Sequence, residues 1–395
     1  MNHPQLLISA LRVLAIVALV VCSLVAPRAG AQENLTPLLL AVHDAPVPFT
    51  GSDGRIHLVY ELWLLNFSSA DAKVEKVEVL GDGAVLQSLD AAAISGRLQP
   101  AGMREASDTV AKGSLALLFL DVSLEPTAVL PRQLSHRLAV HINAAPLGYQ
   151  DMSETGGISV LDQRKVPVMG PPLRGERFVS ADSCCDATRH TRAALPVNGR
   201  VWVAQRYAVD WEQLDAQGHI YSGPREKPES YTIFGKPVFA VCDATVAAVV
   251  DGLPEQTPGT YPTNIPLNQA DGNSVILDLG GQRYAMYAHM QPGSIKVRKG
   301  DRVKAGEVIG LVGNSGNSVA PHLHFQLMNG PLSLGSNGFP YEIDSFQITG
   351  RTPGTKAFDE AEEKGTPLTV TALTPALQIK NAMPLDQLVI SFPLR

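Results

Sequence analysis

Two histidines separated by a single residue stand in the segment Ala320–Leu327, which reads A-P-H-L-H-F-Q-L. Side chains two positions apart on a strand point to the same face, so His322 and His324 would stand side by side while Leu323 faces the other way. The preceding residues 313–318 (G-N-S-G-N-S) are turn formers that can open a strand edge into a site. Such a pair can bind a metal or transfer protons, or can simply hydrogen-bond at the edge of a core.

Two further residues have the chemistry to join this pair. Asp210 lies in Y-A-V-D-W, an alternating segment that predicts a strand, and His289 ends the predicted strand 283–289. Zinc binds histidine nitrogen and aspartate oxygen in tetrahedral geometry, and a catalytic zinc site keeps one position for water. Three imidazoles and one carboxylate therefore make a metal site our leading interpretation.

Around these residues the sequence resembles the lysostaphin-type zinc peptidases, the M23 endopeptidases that cut peptide crosslinks of bacterial peptidoglycan. The resemblance covers residues 195–350. It rests on these segments: Y-A-H-M at 287–290, V-R-K-G-D-R-V-K-A-G-E-V-I-G at 297–310, G-N-S-G-N-S at 313–318 and P-H-L-H-F at 321–325.

The resemblance implies a role for each candidate residue. His324 and Asp210 correspond to ligands of the Zn²⁺ cofactor, and His322 and His289 correspond to catalytic histidines. It also implies an antiparallel β-sheet peptidase domain and, as partner, the stem or crosslink peptides of peptidoglycan.

One position departs from the family pattern. Arg206 stands four residues before Asp210, where the family has a zinc-ligating histidine. Four residues on a strand is again same-face spacing, so we expect Arg206 to point into the site. A guanidinium cannot ligate zinc. Three outcomes stay open: weak binding by two protein ligands, substitution by His190 or His219, or a metal-free site that Arg206 fills.

These outcomes leave two functions open. The first is an exported zinc metalloendopeptidase that hydrolyses peptidoglycan crosslinks. The alternative is a catalytically degenerate M23-like protein that binds or regulates cell-wall enzymes. The segment 299–306 (K-G-D-R-V-K-A-G) also resembles the hairpin of biotinyl and lipoyl domains, but no Met-Lys-Met is present there.

Composition and the N-terminus set the broad class. The 395 residues carry a formal net charge of -6 and no basic tail, which disfavours nucleic acid as a partner. An apolar run from Val13 to Ala26 follows Arg12, and Ala29-Gly30-Ala31 is typical of a cleavage site. We therefore expect a signal peptide over 1–31, a periplasmic or secreted protein, and no stable membrane span after cleavage.

The remaining chain is expected to be mostly β. Several short strands separated by turn signals over 32–155 predict an immunoglobulin-like β-sandwich. We expect a connector over 156–194, the M23-like peptidase domain over 195–350 and a C-terminal tail with a late strand over 351–395. Cys184, Cys185 and Cys242 stay in the mature chain, and export permits a disulfide. One of the adjacent pair could bridge to Cys242 and leave one thiol free, but the sequence leaves the pairing open.

Overall fold

The computed structural model describes residues 35–148 and 150–392, so the predicted signal peptide lies outside the described residues. Contacts divide the chain into Met1–Pro37 and Leu38–Arg395, and the strands and helices of the described residues lie in the second unit. Within the described ranges, no helix combines the length and the apolar character that crossing a bilayer requires.

The first part of this unit is a pair of antiparallel sheets with a buried apolar interior. In one sheet, β3 pairs with β1, β2 and β8, and β8 pairs with β6; in the other, β4 pairs with β5, β7 and β9, and β9 pairs with β10. The elements are β1 (Leu38–Val42), β2 (Phe49–Thr50), β3 (Ile56–Asn66), β4 (Ala72–Gly81), β5 (Ala84–Asp90), α1 (Ala91–Ser95), β6 (Leu98–Pro100), β7 (Thr109–Val110), β8 (Leu115–Leu124), β9 (Gln133–His141) and β10 (Asp151–Val160).

The second part is organised around one large sheet with the order β11-β23-β25-β12-β15-β22-β19-β18-β17-β20, to which β24 adds beside β23. Its elements are β11 (Val168–Met169), β12 (Gly175–Ala181), β13 (Leu195–Val197), β14 (Arg200–Trp202), β15 (Val209–Gln213), β16 (Pro237–Phe239), β17 (Ala244–Val250), β18 (Asn273–Asp278), β19 (Tyr284–Met290), β20 (Arg302–Val303), β21 (Val308–Leu311), β22 (Leu323–Met328), β23 (Glu342–Arg351), α2 (Thr355–Lys364), β24 (Thr371–Ala382) and β25 (Leu388–Phe392). Single 3₁₀ turns span Pro228–Ser230 and Leu267–Gln269.

The prediction of a mostly β chain is confirmed, while the immunoglobulin-like type of the first part and the domain boundaries stay predictions. β12 lies in the segment predicted as a connector, yet it pairs with β15 and β25 inside the large sheet. The late strand β25 also pairs with β23. The final strand of the described chain therefore completes the sheet that carries the candidate site.

The three adjacent strands β15, β22 and β19 position the candidate residues. Their interior faces are apolar, with Trp211, Phe325 and Tyr287 fully buried in one continuous core. Because side chains alternate along a strand, burial of these three on one face turns Asp210 and His324 to the other. The sheet thus presents its polar residues along one surface.

Candidate metal centre and active site

Asp210 and His324 face each other across two paired strands. They are direct partners in the antiparallel register of β15 and β22, and paired residues on one sheet face have Cβ atoms ~5 Å apart. His324 Nδ1 lies 2.9 Å from Asp210 Oδ1, and both side chains are largely buried. The structure therefore brings together the two residues that the sequence predicts as metal ligands.

His289 reaches the same centre through an irregular end of β19. It has a φ of 58°, in the left-handed region that L residues rarely adopt, and the pairing of β18 with β19 shifts register beside it. Bulges of this kind re-aim a side chain, and backbone strain concentrates at functional sites. The ring lies with its centroid 4.8 Å from that of His322.

His322 stands just before β22 and faces the same carboxylate. Its Nδ1 lies 2.7 Å from the carbonyl oxygen of Ala320, so Nδ1–H donates to that oxygen and Nε2 is left free. Nε2 lies 3.4 Å from Asp210 Oδ1. His289 is held in the same manner, with Nδ1 2.8 Å from the Ser315 carbonyl oxygen.

A fourth histidine, His190, completes the group. It comes from the turn after β12, is only 6% exposed, and its Nε2 lies 3.3 Å from Asp210 Oδ2. Its Nδ1 lies 2.8 Å from the carbonyl oxygen of Asp182, to which it donates. His190 was one of two substitutes considered from sequence; the other, His219, lies 3.5 Å from the carboxylate of Asp215 instead.

The expectation that Arg206 points into the site is wrong. Residues 204–207 form turns, with Ala208 N donating to Gln205 O, and β15 begins only at Val209, so strand periodicity does not apply to Arg206. The guanidinium is instead buried against Glu61 of β3, with Nε 2.8 Å from Glu61 Oε1 and a second contact from Nη2 to Oε2. The guanidinium of Arg206 therefore does not fill the centre, and the outcome of a metal-free site occupied by arginine is contradicted.

The donor atoms fit a metal ion. One ligand atom from each of His190, Asp210 and His324 lies within 4.8 Å of the others, and His289, His322 and His324 form an overlapping group of the same size. His190 and His324 each turn one ring nitrogen to an oxygen outside the centre and the other to Asp210. Each of these nitrogens needs a proton or a metal ion between it and the carboxylate, and two nitrogens with one oxygen are a donor set that suits zinc.

The electrostatics of the centre are strongly perturbed. Burial lowers the pKa of His190, but the charge and hydrogen bond of Asp210 outweigh it and raise that pKa to about 9. Burial raises the pKa of Asp210, yet the nearby His190 and His322 hold it well below its usual range. Burial and two neighbouring imidazoles lower the pKa of His289 well below its ordinary value, which keeps the ring neutral.

A disulfide lies in the segment that carries His190. It joins the adjacent residues Cys184 and Cys185, a pairing that the sequence had left open, and Cys242 is free. Cys185 Sγ lies 3.9 Å from His57 Nδ1 of β3. The segment from β12 to His190 thus contacts the first part of the unit through Cys185.

Part of the chain is similar to known proteins. Residues 231–336 match the family described as Peptidase family M23. Peptidoglycan DD-endopeptidase ShyA of Vibrio cholerae is 40% identical over 176 residues, 41% of this chain and 37% of the relative. Glycyl-glycine endopeptidase ALE-1 of Staphylococcus capitis is 36% identical over 101 residues, 25% of each chain. The catalytic domain of lysostaphin from Staphylococcus simulans aligns at 23% identity over 41% of this chain and 88% of that domain, with a TM-score of 0.23.

The matched residues 231–336 and the group of histidines both lie in the second part of the unit. The resemblance is confirmed, and the chain carries a domain of peptidase family M23. The sequence alignments span 25% and 37% of the lengths of the two named relatives.

Several residues at the centre carried no usable signal in the sequence. His190 lies 20 residues before Asp210 in a turn, where no periodicity predicts which way a side chain points. Gln326, which lies 2.8 Å from His324, follows it at same-face spacing and is the one neighbour that strand alternation could have found. The position of a backbone acceptor such as Asp182 O is set by the path of its loop, so the sequence could not predict its contact with His190.

Proposed function

We propose that the chain is an exported zinc metalloendopeptidase that hydrolyses peptide crosslinks of bacterial peptidoglycan. The observation that carries the proposal is the convergence of His190 and His324 on the two oxygens of Asp210, each ring being fixed through its other nitrogen. The cell-wall endopeptidases among the relatives support the substrate class. Action on the cell wall agrees with a periplasmic or secreted location.

The residues divide into two roles. His190, Asp210 and His324 would hold zinc, which when bound polarises the scissile carbonyl and acidifies a water. His289 is buried and neutral, so its free Nε2 is suited to accept a proton from the attacking water. His322 offers its Nε2 from the partly exposed edge; because its Nδ1–H donates to Ala320 O, Nε2 must first take up a proton before it can donate to the developing oxyanion.

The arrangement explains how a chain with Arg206 in place of a ligand histidine keeps a three-ligand centre. A nitrogen donor reaches Asp210 from the turn after β12, while the guanidinium is neutralised by Glu61. The degenerate alternative then has no specific observation in its favour, and metal content distinguishes the two functions.

The decisive experiment measures zinc per chain by mass spectrometry of the purified full-length protein, together with release of products from crosslinked muropeptides. We expect about one zinc per chain, lost in H190A and in D210A because each removes one of the three ligands. H289A and H322A should keep the metal and lose about 10²–10⁴ in kcat, the usual contribution of acid–base catalysis.

Two controls make the assignment of His190 specific. H219A removes the other candidate histidine and should keep both metal and activity. H190A/R206H places a histidine at the family position but should not recover zinc, because side chain 206 points to Glu61. A wild-type protein without zinc, or an H190A protein with full zinc, contradicts the proposal.

A further inference from the structure

Gln326 is a fully buried amide next to the proposed metal ligand His324. It lies two residues further along β22, on the same face, and has 0% exposure. Its Oε1 is 2.8 Å from His324 Nε2, and its Nε2 is 3.3 Å from the carbonyl oxygen of Ser333. A buried amide is costly unless it is hydrogen-bonded, and both ends of Gln326 have partners.

These two contacts determine which way the amide is turned. The Ser333 carbonyl can only accept a hydrogen bond, so the NH₂ group of Gln326 must face it. The amide oxygen therefore faces His324, and since this oxygen can only accept, Nε2 of His324 must carry a proton. The other ring nitrogen, Nδ1, is then the one left to face Asp210 Oδ1 at 2.9 Å.

We propose that Gln326 is a positioning residue that fixes the Nε2–H tautomer of His324 and thereby makes Nδ1 the metal-binding atom. This inference rests on the proposed metal centre. It adds a residue that acts through His324 without touching the substrate. Outer partners of metal-bound histidines typically contribute 10–100-fold in metal affinity.

The first test compares zinc affinity among variants, by competition with a chromophoric chelator. Q326L keeps the approximate size but has no acceptor, and it should bind zinc about 10–100-fold more weakly. Q326E keeps an oxygen that accepts from Nε2–H, and its affinity should stay within about threefold of the wild type or increase. If Q326E loses as much affinity as Q326L, the acceptor is not what matters and the proposal fails.

A matched control separates this effect from loss of a buried glutamine in the same sheet. Gln213 is also buried, lies on β15 and donates to the Glu176 carbonyl, but it sits on the face opposite to Asp210. Q213L should therefore leave zinc affinity unchanged. An equal loss in Q213L and Q326L would show general damage to the sheet and would overturn the assigned role.

The tautomer is measured directly, and independently of activity, by imidazole ¹⁵N NMR of the metal-free protein at about pH 9. His324 should show a protonated Nε2 in the wild type and in Q213L, and a shift toward Nδ1–H in Q326L. A wild-type His324 protonated on Nδ1 overturns the inference even if zinc binds. If the wild type binds no zinc but the tautomer is as expected, the proposed function fails while the role of Gln326 in setting the ring survives.

Discussion

The histidines of the centre owe their orientation mostly to the main chain. His190, His289 and His322 each donate Nδ1–H to a carbonyl oxygen, and only His324 relies on a side chain, Gln326. A carbonyl in a loop keeps its position as long as the loop keeps its path. Substitution of neighbouring side chains should therefore disturb three of these rings much less than the fourth.

A buried histidine far from the centre gives a prediction on pH and stability. His136 on β9 is fully buried between Tyr60 Oη and the Gly157 carbonyl, and burial lowers its pKa to about 4. The unfolded chain therefore binds more protons at this histidine between pH 6.5 and 4, so the contribution of His136 to the free energy of unfolding should fall by about 3 kcal/mol over that range. Urea unfolding at several pH values measures this loss.

Two variants identify the group responsible. H136Q cannot take up the proton, so its free energy of unfolding should rise relative to that of the wild type by about the same amount between pH 6.5 and 4. H141Q removes an exposed histidine of the same strand whose pKa is raised, chiefly by Asp151, so its contribution is constant over this acidic range. Parallel pH profiles for the wild type and H136Q would contradict the prediction.

Among individual residues, the sequence predicted the positions that follow from the alternation of side chains along a strand. His322, His324 and Asp210 lie on strands or next to them, and their convergence follows from alternation and pairing. The orientation of Arg206 was mispredicted because its segment is a turn. The selection of His190 over His219 needed the loop path, which local propensities do not encode. The roles assigned to these residues stay predictions.

Among the elements, two glycine loops behind His289 touch each other through their backbones. A Cβ built on Gly316 would lie 2.3 Å from Gly272 N, and one on Gly272 would lie 2.4 Å from Ser315 O. Both glycines also have positive φ angles. Ser315 O is the acceptor that orients His289, so the close approach of these loops positions the ring to which we assign a catalytic role.

G316A should therefore damage both stability and catalysis. We expect a loss of about 2–4 kcal/mol in the free energy of unfolding, because left-handed strain and a backbone clash act together. We also expect a decrease in kcat of about tenfold or more from the displaced His289, with zinc content retained. G300A is the control: its φ is 93° but nothing lies within 4 Å, so it should cost about 1 kcal/mol and leave kcat unchanged. Equal kcat values for the two variants would argue against this link.

Local sequence patterns predicted strands in the second part of the unit. The strand predicted over 283–289 is β19 (Tyr284–Met290), and the late strand predicted in the C-terminal tail is β25 (Leu388–Phe392). By contrast, β12 had no local signal of its place in the sheet. Its partner β25 lies more than 200 residues away, and pairing over such a distance depends on the complete fold.

Over the whole molecule, the sandwich and the peptidase sheet share one apolar core. Phe49 and Val59 of the first part are buried in the same cluster as Tyr207 and Trp211 of the second. Tyr207 Oη also donates to the Val59 carbonyl at 3.2 Å. The first part is therefore packed as a structural component of the peptidase unit, next to the turn that precedes Asp210.

The Arg206–Glu61 pair lies at the centre of this contact and gives a prediction on stability. Both side chains are almost completely buried, at 5% and 0% exposure. Removing one partner of a buried pair leaves an uncompensated charge and costs about 3–5 kcal/mol, whereas replacing both by apolar residues is often neutral. E61L should therefore lower the free energy of unfolding by that amount, and E61L/R206L should recover most of it.

Urea unfolding of the full chain measures the free energy of unfolding of both variants. E78A, which removes one partner of a surface ion pair, is the control. Glu78 pairs with Arg137 on the sandwich surface, where an ion pair contributes about 0–1 kcal/mol. Recovery in the double variant would show that the instability of E61L comes from the uncompensated charge of Arg206. If E61L/R206L is as unstable as E61L, the cost comes from lost packing, and the buried charge does not explain why an arginine occupies the position of a metal ligand.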